Sequence, residues 1–216
     1  MKRHLLTCTI APMLFFVFFF SSNAFAYDYG FDSITNNSDI NANNGEAQLS
    51  FSVTQLSNTQ LEFVFKNAGP EDANITSIHF KDDVSLMTWV DFSAQTSAGV
   101  SFVMDTRSAN LKGINFPVDY SFFRTRQGGV SNGINQGEVL GLIFDFTEGD
   151  WDEIIAALDT DSLSVGMHVQ AFGDGGSEKF ISTSSTNPVP EPASMVLLGI
   201  GLMGIAGVSR KKVLKK

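Results

Sequence analysis

The sequence predicts an all-β protein, a β-sandwich ectodomain with one short helix, set between two apolar terminal segments. Three observations carry this reading. Apolar and polar residues alternate with period two in many short runs, the pattern of half-buried strands. Phenylalanine, with 20 residues, dominates the aromatic set and reads as core. One stretch near residue 150 has helical spacing instead. Many short strands with a single helix argue two packed sheets.

The first element is not part of that domain. Lys2 and Arg3 form a positive start, Ile10 to Phe20 is apolar and interrupted only by Pro12, and Ala24-Phe25-Ala26 places small residues where a signal peptidase reads them. This is the layout of a secretory signal peptide over residues 1–26, with the mature chain beginning near Tyr27. The apolar run of about 11 residues is short of the roughly 20 that span hydrocarbon. Cys8 is the one cysteine and leaves with this segment, so the mature protein is stabilised without disulfides. The same loss excludes thiol catalysis and Cys-ligated metals.

The ectodomain is assigned to residues 27–181. Its first part, "FDSITNNSDINANNGE", is read as a polar loop. Asp39, Asn41 and Asn43 are spaced like the first ligands of a calcium loop, which makes them weak calcium candidates. Gly45 falls one place late, however, and Ser50 stands where a bidentate Glu belongs. In "LSFSVTQ" Leu49, Phe51 and Val53 share one face, and in "QLEFVFK" Leu61, Phe63 and Phe65 do so. The intervening "LSNT" makes the two a hairpin. Further strands are expected in residues 74–80, 86–92, 99–105 and 115–123. "VLGLIFDF" (139–146) and "LSVGMHVQAF" (163–172) complete the set. Between these two, "DWDEIIAAL" opens with Asp150 as N-cap and Glu153 three residues on, and it carries an apolar stripe of Trp151, Ile154, Ile155 and Leu158. "GDGGSE" (173–178) reads as a glycine turn.

All 23 acidic residues, but only seven of the 14 basic ones, lie between the two apolar terminal runs, in residues 27–192, so that part carries a charge near −16. That excludes nucleic-acid binding and leaves divalent cations as plausible partners. Only His79 and His168 remain after export, and both are expected to be solvated or edge residues. Asp82 and Asp83 should point to opposite faces of a strand, while Asp145, Glu148 and Asp150 read as strand-end and cap residues. No catalytic residue and no cofactor is assigned, and the protein is expected not to be an enzyme. Trp89 has an ambiguous face, and Tyr27 and Tyr29 fall at a loose terminus, so no sugar-binding platform stands out.

Residues 182–189 read as a flexible linker. Pro190-Glu191-Pro192 follows, an extended, helix-incompatible segment. Ala193 to Val208 is uncharged, about 24 Å long as a helix at ~1.5 Å per residue, and is expected to be a single transmembrane helix. Arg210, Lys211 and Lys212, with Lys215 and Lys216, form a basic tail of the kind that stays cytoplasmic. The glycines at 199, 201, 204 and 207 are never four apart, so the GxxxG dimer spacing is missing.

The order Pro-Glu-Pro, short apolar helix and Arg-Lys-Lys over residues 190–216 resembles the PEP-CTERM sorting signal of Gram-negative bacteria that make extracellular polysaccharide. The stretch 133–182, with "GINQGE", "HVQAF" and "GGSE", is similar to the end of many such ectodomains and carries no activity with it. The resemblance implies a signal peptidase and a membrane-embedded exosortase, a cysteine transpeptidase, as partners. It implies an inner-membrane intermediate with its ectodomain in the periplasm, then a cell-surface or extracellular product. The expected role is a non-enzymatic envelope or matrix protein. The alternative is a carbohydrate- or calcium-binding module working in the extracellular polysaccharide.

Overall fold

The structure is a computed structural model and describes residues 26–35, 37–105, 111, 117–126, 129–147, 150–184 and 188–189. Alternating runs become strands wherever one face has a sheet to cover. In chain order these are β1 (Ala26–Tyr29), β2 (Phe31–Ser33), β3 (Leu49–Gln55), β4 (Gln60–Asn67), β5 (Asn74–Asp82) and β6 (Met87–Phe92). There follow β7 (Phe102–Met104), β8 (Tyr120–Arg124), β9 (Val139–Phe146), β10 (Leu163–Gln170), β11 (Ser177–Ser182) and β12 (Pro188–Val189). Two α-helices join them, α1 (Asp39–Gln48) and α2 (Trp151–Asp159). The strands form two six-stranded antiparallel sheets, ordered β12-β1-β3-β4-β9-β6 and β2-β11-β10-β5-β8-β7. The β-sandwich expected from the alternation is therefore present, and β3 pairs with β4 as the expected hairpin, Ser52 opposite Val64.

The inner faces meet through phenylalanines. Phe63 of the first sheet lies edge-on to Phe80 of the second at 5.1 Å, Phe80 and Phe144 are also 5.1 Å apart, and Phe122 reaches Phe144 at 6.3 Å. Such aromatic pairs add about 0.5–1.5 kcal/mol each beyond area burial. The core thus runs without a break from one sheet to the other. Helix α2 closes one end with buried Trp151, Ile154, Ile155 and Leu158, and Asp150 Oδ1 accepts from the backbone N–H of Asp152 and Glu153 at 3.0 and 3.2 Å.

The expected polar loop at 31–46 is instead helical from Asp39 on, in a helix that runs to Gln48. Ser38 caps it, its Oγ accepting from Asn41 N–H at 3.4 Å. Asn41, Ala42, Gly45 and Gln48 form its buried side. A Cβ on Gly45 would stand 2.1 Å from Phe180 Cζ, so the helix approaches the sheet at a distance only glycine permits. Tertiary contact overrides the weak propensity of "DINANNGEAQ".

On the edge strand β6, Trp89 pairs with Phe144 and Asp91 with Ile143. Val90 between them is an unpaired bulge residue, 40% exposed.

Candidate functional site

The first and last described segments meet at one margin of the first sheet. Strand β1 lies between β3 and β12, with Ala26 opposite Thr54 on one side and Val189 on the other, and Tyr27 opposite Val53 and Pro188. Pro188 has no N–H, so Val189 is the one backbone donor of β12. Tyr27 packs its ring on Trp151 at 5.9 Å, and Tyr29 is buried and stacked on Phe51 at 4.9 Å. The tyrosines expected at a loose terminus are therefore held in a strand. Before β12, Thr183 N–H donates to Gly30 O at 3.1 Å. Pro188 and Val189, expected in the flexible linker, are paired in the sheet.

Of the predicted signal-cleavage residues, Ala26 begins β1, and Ala24 lies outside the described residues. So do Pro190, Glu191, Pro192, the expected helix 193–208 and the basic residues Arg210, Lys211 and Lys212. Among the described residues no helix is long and apolar enough to cross a membrane.

The calcium candidates sit on α1, which separates them. Asn41 turns inward and its Nδ2 donates to Gly175 O at 3.0 Å, fixing the glycine turn at 173–176. Gly175 and Gly176 have φ of +87° and +89°, the left-handed region that favours glycine. Asp39 and Asn43 face the other way, into an open groove of about 420 Å³ that Ser33, Ala42 and Glu46 also line. There Glu46 Oε1 accepts from Ser33 N–H at 2.9 Å. The structure brings Asp39 and Asn43 together without Asn41.

Glu178 was not singled out by sequence reasoning. It is fully buried and accepts from Thr35 Oγ1 at 2.6 Å, Asn37 N–H at 3.0 Å and Ser38 N–H at 2.7 Å. It therefore docks the approach to α1 on β11. Three further carboxylates are engaged within the fold. Asp82 accepts from Leu86 and Met87 N–H, both at 3.1 Å, while Asp83 points away and pairs with Lys81 at 2.6 Å. Asp145 accepts from Gln60 Nε2 at 2.8 Å.

His79, expected at a solvated face, is 2% exposed. Leu111 lies across the outer face of the second sheet, against Gly166, the residue paired with His79. The ring nitrogens of His79 meet Ser77 Oγ at 2.8 Å and Ser121 Oγ at 3.1 Å, and its ring is edge-on to Phe123. Burial pushes its pKa down to about 4, and repulsion from His168, where that ring is protonated, and from Lys179 adds to the effect. His168 is lowered too, by burial and then by Lys179. Both imidazoles are thus neutral at pH 7. Trp89 packs inward between Phe92 and Phe122, each 5.7 Å away, which resolves its ambiguous face.

Comparison with curated proteins and with solved structures returns no match to this chain. Residues 188–211 match the family model of the PEP-CTERM protein-sorting motif, and β12 is where the match begins. The chain therefore carries the C-terminal sorting signal of exosortase substrates, the mark of an exported protein that is membrane-associated before processing by an exosortase.

Proposed function

We propose that this chain is a non-enzymatic protein of the cell envelope or extracellular matrix, held first in the inner membrane by residues 193–208 and then cut and passed outward by the exosortase. The observation that carries the reading is the sorting motif at 188–211. Its chemistry suits the task. Two prolines around Glu191 keep the backbone extended, the form in which a transpeptidase reaches a carbonyl. The uncharged stretch after them is marginally long for hydrocarbon, and the basic cluster holds its end on the cytoplasmic side. A weak anchor suits a temporary stay.

The ectodomain supports the non-enzymatic part of the reading. Asp82, Asp145, Asp150 and Glu178 all hold backbone or side-chain donors of the fold, and His79 is engaged at both nitrogens. Replacing Pro190-Glu191-Pro192 with three alanines tests the sorting mechanism. Export should continue while full-length protein, with Lys216 intact by mass spectrometry, accumulates in the inner membrane. Equal processing of variant and parent would refute it.

A further inference from the structure

The register at the paired chain ends ties the two processing events together. The chain enters β1 at Ala26 and leaves β12 at Val189, and these two residues face each other. The segments that precede Ala26 and follow Val189 therefore depart from the same end of the same sheet edge. The predicted signal-peptide cut falls between Ala26 and Tyr27, inside β1, which is flanked by β3 and β12. Water hydrolyses that peptide bond, leaving a carboxylate on Ala26 and an ammonium on Tyr27, and Ala26 departs with the leader.

That cut changes the two sheet pairings unequally. Toward β3, the pairs Tyr27–Val53, Asp28–Ser52 and Tyr29–Phe51 remain, with Tyr29 buried, so β1 stays in place. Toward β12, only Tyr27–Pro188 remains. Pro188 has no N–H to give, and Val189, the strand's one donor, has lost the residue opposite it. Two residues so paired do not hold an edge strand.

We propose that β12 and β1 form a clasp that only the uncleaved precursor can close, so that removal of the signal peptide frees the approach to the sorting motif for the exosortase. The inference rests on the sorting function proposed above. A precursor that folds before its leader is removed pins the backbone immediately ahead of Pro190 to the sheet. A correctly matured chain presents that backbone unpaired. The fold thereby sets the order of the two cuts.

The test uses the full chain in cells that contain the exosortase. Ala24→Lys puts a long cation where the signal peptidase needs a small residue and leaves β1 unchanged. This variant should keep Lys216 on most of its molecules, whereas the parent loses it. Adding Val189→Pro, which removes the donor of β12, should restore loss of the tail in the uncleaved chain. A measurement independent of the exosortase uses protein from cells that lack it. There, the Val189 amide should exchange at least about tenfold more slowly in the Ala24→Lys precursor than in the signal-cleaved parent. Equal exchange, or tail loss in Ala24→Lys at the parental rate, overturns the clasp. So does tail retention in the double variant. A parent that keeps its tail removes the sorting reading, and the clasp with it.

Discussion

His79 shows what a single buried side chain imposes. In the fold its pKa is about 4, against about 6.5 in an unfolded chain. Between those values the unfolded state binds the proton and the folded state does not, so stability falls as pH drops through this window. The contribution is fully present above about pH 6.5 and lost by about pH 4, a difference on the order of 3 kcal/mol. His168 acts in the same direction, and Lys179 opposes protonation of both. Thermal melts from pH 7.5 to 4 should show the fall, and His79→Gln should flatten it. This histidine was misread from sequence because alternation places it on a polar face. Phe123 stands edge-on to its ring and Leu111 covers the neighbouring Gly166, both remote in sequence, and local periodicity carries no trace of either. Asp150 was read correctly as a cap, and Asp82 and Asp83 as pointing apart, since both depend on immediate neighbours.

Among elements, α1 has the least to recommend it in sequence and the most specific docking. Its buried side is Asn41, Ala42, Gly45 and Gln48, so no apolar stripe announces it. It depends on Ser38, on the close approach at Gly45 and on the Glu178 carboxylate. Glu178→Ala would leave three donors without their acceptor, at a cost on the order of 2–4 kcal/mol. Faster amide exchange across residues 37–48 than in β3 should accompany it, while Glu178→Gln, which keeps one acceptor oxygen, should cost less. Strands β3 and β9 were legible to the residue because seven or eight positions alternate against a full core. Strands β1, β2 and β11 were not. They run three to six residues with Asp, Ser, Glu and Lys among them, and the antiparallel neighbours that recruit them are far along the chain.

For the whole molecule, the phenylalanine core is the unit of stability. Because the rings of both sheets interlock, the ectodomain should unfold in one cooperative transition in calorimetry. The clasp adds only two residue pairs, so the signal-cleaved domain should melt within about 4 °C of the uncleaved precursor, the shift that ~1 kcal/mol produces in a domain of this size. Two separate transitions would contradict a continuous core. The sorting signal was the most legible part of the chain, because an enzyme reads it as a linear motif and no folding stands between sequence and recognition. Its tie to β1 was not legible, since nothing in "STNPV" specifies a strand partner more than 150 residues away.

The kink at Val90 matters wherever copies of the exported protein meet margin to margin, since an even row of free amides and carbonyls would let them zip into ribbons. One surplus residue puts that row out of step, so the β6 margin makes a poor template for polymerisation.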